Sequence, residues 1–159
     1  VDKSLLDEML SAANLAPSWK NSQTPRFYVA TGEKSKNAVR EALPEFNRKN
    51  SENASAYIVT TVVLNRSGFD KDGTAVTEIG NGWGYYDLGL NNMALLLKAT
   101  ELGISTLVMG IRDGEKLRKE FDIPETEAVV SVIAVGYTDS EIVRPKRKSV
   151  EDFAKFYED

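Results

Sequence analysis

The chain has 159 residues, with 20 Lys and Arg against 24 Asp and Glu, a net charge of -4, and neither His nor Cys. This excludes disulfides, thiolate nucleophiles, zinc-sulfur sites and imidazole-based triads, and the acidic balance supplies no global field for nucleic acid. No apolar run approaches the ~20 residues that span a bilayer, so a cytoplasmic location is expected and no membrane or nucleic-acid partner. What remains open is carboxylate or lysine chemistry, a borrowed cofactor, or no catalysis at all.

In chain order, Lys3 to Asn14 carries Leu5, Leu6, Met9, Leu10, Ala12 and Ala13 at helical spacing and stops before Pro17. Arg26 to Thr31 is β-rich and closed by Gly32, and Glu33 to Leu43 suits a short helix. Pro44 to Asn53 reads as polar and irregular. Ala56 to Leu64 is β-branched for most of its length and apolar on both faces, which predicts a central strand. Asn65 to Gly84 has no period and reads as a surface excursion.

A long helix is predicted from Tyr85 to Leu102. Its apolar residues, from Leu88 and Met93 to Leu97 and Ala99, cover most of the circumference, so a partner subunit is the expected covering surface. Ser105 to Gly110 is extended, Glu115 to Phe121 helical, Ala128 to Gly136 a second apolar strand, and Ser149 to Tyr157 a closing helix. The order predicts one α+β domain over residues 1–159.

Four segments carry candidate chemistry. Ala16-Pro-Ser-Trp-Lys-Asn-Ser-Gln-Thr-Pro25 gathers amide and hydroxyl groups able to bond both donors and acceptors of a heterocycle, although turn-forming composition alone explains it as well. Arg144-Pro-Lys-Arg-Lys148 places Lys146 and Lys148 on one side of an extended chain, where they could clamp a phosphate; a solvated basic run is the alternative. Gly80-Asn-Gly-Trp-Gly84 is not a dinucleotide loop, because it follows no apolar strand and lacks the six-residue pattern. Trp83, Tyr85 and Tyr86 could line an aromatic pocket or simply pack. Gly110, after Leu107-Val-Met109, lets backbone approach a flat ligand or merely ends a strand.

The order and spacing of these pieces resemble the FMN-dependent nitroreductase family. The matching features are Ala16-Pro-Ser-x-x-Asn-Ser-Gln23, the strand Arg26 to Ala30, the helix ending Leu102-Gly-Ile-Ser105, Met109-Gly110, Phe121-Asp-Ile-Pro124, Gly136-Tyr137 and Pro145-Lys-Arg-Lys148. The resemblance implies a nitroreductase-like α+β fold: a small, mostly antiparallel central sheet flanked by helices, in an obligate homodimer with the long helix at the interface. It implies that Pro17, Ser18, Trp19, Asn21 and Gln23, with Tyr86, reach the flavin from one subunit. Met109 and Gly110 would present backbone amides near flavin N5, and Lys146 with Lys148 would hold the phosphate, from the other. Asn47 matches a position near the pyrimidine edge. The activity implied is ping-pong transfer from NADH or NADPH through FMN to a nitroaromatic, quinone or similar acceptor. Lys20, Arg48 and Lys49 are the cations expected near the reduced flavin. The rival expectation is a flavin- or small-ligand-binding dimer without turnover.

Two departures from the family pattern are visible. Relatives open with an Arg-rich segment resembling Arg-x-Ser-x-Arg that meets phosphate and pyrimidine; either such a segment precedes Val1 or FMN binding is weakened. The excursion Asn65 to Asn81 is short where larger relatives carry helices, which implies an open acceptor pocket.

Overall fold

In the computed structural model, which describes residues 1–158, β2 (Ala56–Val63) and β4 (Glu127–Gly136) form the middle of a four-stranded sheet. Its edges are β1 (Pro25–Ala30) and β3 (Ser105–Met109). The order is β1-β2-β4-β3 and every pairing is antiparallel, as the resemblance implies. Because successive strand residues point to opposite faces, Tyr57 and Val59 join one core layer and Ala56 and Ile58 the other. Both layers are covered, so β2 is buried over seven of its eight residues, as its β-branched, two-faced apolar sequence requires.

The first layer packs beneath α2 (Glu33–Glu41) and α5 (Gly114–Glu120), through Val39 and Leu117. The second packs beneath α1 (Lys3–Asn14), through Leu6, Met9 and Ala13, and beneath α4 (Gly82–Glu101), through Leu95 and Ala99. These spacings are the 3-and-4 stripe of an amphipathic helix. Gly103, at φ +72°, ends α4, and Ile104 N–H donates back to Ala99 at 2.8 Å, the wide bond of a glycine-terminated helix.

Three expectations are corrected. Residues 45–50 are a helix, α3 (Glu45–Asn50), rather than irregular chain: Pro44 presets the entry, and Ser51 Oγ and N–H close the end on the Asn47 carbonyl. The closing helix shrinks to α6 (Val150–Phe153), because Phe153, Phe156 and Tyr157 meet no surface of this chain. The long helix α4 starts at Gly82, three residues before Tyr85, where the expected helix began. Tyr86, Met93 and Leu97, seven and four residues apart, lie half exposed or more.

Next to the bulge between Thr60 and Thr61, polar groups enter the sheet. Glu127, buried at the start of β4, accepts from Tyr28 Oη at 2.9 Å and from Thr61 Oγ1. Burial, reinforced by the Glu127 carboxylate it bonds, pushes the Tyr28 phenol up to about 12.

Candidate functional site

Between α1 and β1 the chain makes a short 3-10 turn, Trp19–Asn21. Lys20 (φ 45°), Asn21 (φ 55°) and Gln23 (φ 48°) all occupy the left-handed region. Each non-glycine residue there costs roughly 1 kcal/mol, so the turn needs bonds that hold it. Inside the turn, Gln23 N–H donates to Ser18 Oγ at 3.0 Å, and Arg26 Nη1 donates to the Gln23 and Pro25 carbonyls, both at 2.8 Å.

The bonds to the body of the protein converge on one residue that the sequence reading passed over. Asp87, in the second turn of α4 and 2% exposed, accepts the Trp19 backbone N–H at 3.1 and 3.2 Å and the Ser67 hydroxyl. Ser67 Oγ also lies 2.6 Å from Ser22 Oγ and 3.3 Å from Thr24 Oγ1. The helix can come this close to the strands because residue 84 is Gly: a Cβ there would stand 2.9 Å from Val62 Cγ2. The signal for Asp87 was present, since it lies on the same face as Gly84, Leu88, Asn91 and Leu95, where an acid without a partner is expensive.

Aromatic rings wall the turn. Trp19 meets Trp83 with ring centroids 4.7 Å apart, and Trp83 meets Tyr86 edge-on at 5.7 Å. Trp83 Nε1 donates to Thr77 Oγ1 at 2.9 Å, whereas the Trp19 indole N–H is buried with no acceptor. Pro17, Ser18, Trp19, Asn21, Gln23 and Tyr86 therefore form one contiguous group. Ser18 and Gln23 also open onto a cleft of about 320 Å³ floored by Phe27 and Asn91. The excursion is anchored to the same group: Ser67 sits in the carboxylate network, and Asn65 and Asn81 clasp its base through bonds of 2.7 and 3.0 Å. It is thus pinned at its base and partly buried rather than lying wholly on the surface. At its tip the Thr74 amide holds the Asp72 carboxyl below the usual carboxylate range.

A second group forms at the opposite sheet edge. Met109 is buried in the core, Gly110 beside it is exposed, and a Cβ on Gly110 would meet nothing within 4 Å. Asn47 Nδ2 donates to the Ile111 carbonyl at 3.2 Å, fastening α3 to this loop. Arg48 and Lys49 ride on the same helix, both exposed. Lys20 is turned elsewhere: its ammonium lies 3.8 Å from Asp70 and 5.8 Å from the Trp19 ring centre. Lys146 and Lys148 stand exposed on the extended chain between β4 and α6; neither enters an ion pair among the described residues.

The structure thus brings the expected residues together as two groups rather than one. β1 and β3 are separated by β2 and β4, three strand spacings or about 14 Å. Each group offers polar atoms to a flat heterocycle: hydroxyl and amide side chains at one, the exposed backbone of Gly110 at the other.

An all-antiparallel four-stranded sheet between two helical layers, with a polar turn at one edge and an open glycine loop at the other, defines a small α+β domain with a candidate ligand-binding group at each edge. The chain belongs to the nitroreductase family, whose model matches residues 1–137. Among solved structures it resembles a nitroreductase family protein from Streptococcus pneumoniae TIGR4 (TM-score 0.82, 22% identity, 99% of this chain and 90% of that one). It also resembles an enone reductase of gut-bacterial fatty acid saturation (TM-score 0.84, 20% identity, 98% and 88%). A third similar structure is an oxidoreductase containing FMN (TM-score 0.76, 25% identity, 88% and 69%). Among curated proteins, none matches by sequence. No helix among the described residues is long and apolar enough to cross a membrane.

Proposed function

We propose that the chain is one FMN-binding domain and one subunit of a homodimeric, FMN-dependent NAD(P)H oxidoreductase, with each flavin lying between two protomers. The observation that carries this reading is the placement of the two polar groups on opposite edges of one sheet. Within one protomer the cleft at Ser18 and Gln23 is lined by nothing from the Asn47, Met109 and Gly110 group, whereas a ring between two copies can meet the Pro17 to Gln23 turn of one and that group of the other. The exposed stripe Tyr86, Met93 and Leu97 on α4 is the surface a second copy covers.

In this reading Ser18, Asn21 and Gln23 bond the edge of the ring system, and Tyr86 closes the pocket from the start of α4. Met109 and Gly110 offer backbone amides, and Lys146 with Lys148 pair with the phosphate. Bound FMN supplies two-electron hydride chemistry, from NADH or NADPH to a nitroaromatic, quinone or related acceptor in alternating turns on one open face. Arg48 and Lys49 are the cations placed to balance negative charge beside Asn47; Lys20, engaged with Asp70, is not. With no His in the chain, protons come from solvent. A cytoplasmic location belongs to this reading, because NADH and NADPH are held there.

The experiment is anaerobic reduction. Purified protein loaded with FMN is expected to sediment as a dimer and to lose its visible flavin absorbance on addition of NADH or NADPH. Protein that retains FMN but is bleached by neither nucleotide overturns the reductase reading and leaves a binding dimer; protein that takes up no FMN overturns both.

A further inference from the structure

Asp87 is buried, ionisable and without a cation: no Lys or Arg lies within ion-pairing distance of it among the described residues. An isolated buried carboxylate is costly unless donors satisfy it. Its donors here are two, the Trp19 amide and the Ser67 hydroxyl, and they come from two segments remote from α4 in sequence. One belongs to the strained turn with three left-handed residues, the other to the excursion beside it. The turn has few other fastenings to the body of the protein: the Ser22 and Thr24 contacts run through the same Ser67 hydroxyl, the Lys20 to Asp70 pair is exposed and 3.8 Å long, and beside these stand the Trp19 to Trp83 ring contact and the backbone bond from Val63 to Thr24.

Resting on the flavin reading above, we propose that Asp87 is the positioning residue of the flavin half-site, its carboxylate locking the Pro17 to Gln23 turn into its left-handed conformation. It touches neither flavin nor substrate; it acts through Trp19 and Ser67. A carboxylate suits the task because both its oxygens only accept, so one group takes the Trp19 amide and orients the Ser67 proton inward. That leaves the Ser67 lone pairs for the hydroxyls of Ser22 and Thr24. Strain in the turn is thereby balanced within the protein before ligand arrives, which is how preorganisation raises affinity. The same carboxylate ties the excursion to the turn, so acceptor-side and flavin-side segments share one anchor.

The test compares Asp87→Ala, Asp87→Asn and Ser67→Ala with the parent dimer. FMN affinity is read from fluorescence quenching, the visible circular dichroism of bound flavin reports its setting, and melting of the flavin-free protein reports the fold. Asp87→Ala is expected to weaken FMN binding about tenfold or more, the loss of one charge-assisted hydrogen bond, and to change the flavin dichroism. Asp87→Asn, whose carbonyl oxygen still accepts the Trp19 amide, is expected to recover most of both. If Asp87→Ala does not fold, Ser67→Ala carries the test through a smaller change in the same dichroism. Variants that fold and bind FMN with parental affinity and dichroism overturn the role of Asp87 and leave the flavin reading intact. Failure of the parent itself to bind FMN overturns both.

Discussion

Replacing Lys146 and Lys148 together by Ala separates a phosphate anchor from a solvated basic run. Both side chains are exposed, on a stretch with no helix or strand and no ion pair among the described residues. Their loss is therefore expected to leave folding stability within the small range of ordinary surface substitutions. Binding is another matter. A unit charge 4 Å from another contributes about 1 kcal/mol in water and about 4 kcal/mol near a protein surface, and a flavin phosphate between subunits lies between these limits. Two lysines together should then account for about 30-fold or more in FMN affinity at low salt. The assay is FMN titration by fluorescence quenching at low and high ionic strength, with thermal melting alongside. Since screening shortens from about 10 Å at 0.1 M to about 3 Å at 1 M salt, the parent should lose affinity with salt and the double variant should be nearly indifferent. Lys146→Arg with Lys148→Arg should retain most of the affinity. An Ala variant with parental affinity and parental salt dependence refutes the reasoning, because it shows that the run never meets the phosphate.

Further perturbations probe other parts of the structure. Asn47→Ala removes the bond to the Ile111 carbonyl; unfolding in urea should change by about 1 kcal/mol or less, whereas FMN retention should fall several-fold as the loop loosens. Gly84→Ala drives a Cβ to 2.9 Å from Val62 Cγ2 and should lower stability in urea by roughly 1 to 3 kcal/mol, since the helix must lift from β2. Met93→Asp with Leu97→Asp alters only side chains half exposed in the protomer; sedimentation should show monomer with native circular dichroism, and an intact dimer would move the interface off this stripe. Tyr28→Phe addresses alkaline stability. The folded phenol sits at about 12, above its ordinary 10.0, so the neutral form is favoured by folding. The contribution is whole below pH 10 and lost as pH rises towards 12. Relative to the variant, the parent should lose stability across that window, and Tyr28 should be late to appear in a tyrosinate absorbance titration.

What could be read from the chain divides along a physical line. The strands β2 and β4 were legible because their partners lie within the protein: continuous β-branched runs mean burial on both faces, and both faces are covered. α3 escaped notice because its one large apolar residue, Phe46, is 74% exposed, so no periodic stripe marks it. α6 was overextended for the converse reason: Val150, Phe153 and Tyr157 repeat at helical spacing, but periodicity makes a helix only where a surface receives the stripe. The Pro17 to Gln23 turn announced itself through its own residue types. Its anchor did not, since Trp19 and Asp87 are 68 positions apart and Ser67 and Asp87 are 20, and pairing at that separation leaves no trace in local pattern.

The long helix shows what the mismatch means. Its composition, apolar nearly all round, implied cover on every side, and the protomer covers one side: Leu88, Leu95 and Ala99 are buried, while Tyr86, Met93 and Leu97 are open. The buried side is also where the polar residues Asp87 and Asn91 lie, the reverse of what a monomer's surface helix would place there. A helix that turns its carboxylate inward and its Met and Leu outward is arranged around two demands: an anchor for the turn beneath it and an apolar contact above it. The same element would then shape the flavin half-site from inside the protomer and bring up the second protomer from outside. Monomeric protein that held FMN as tightly as the parent would break that link.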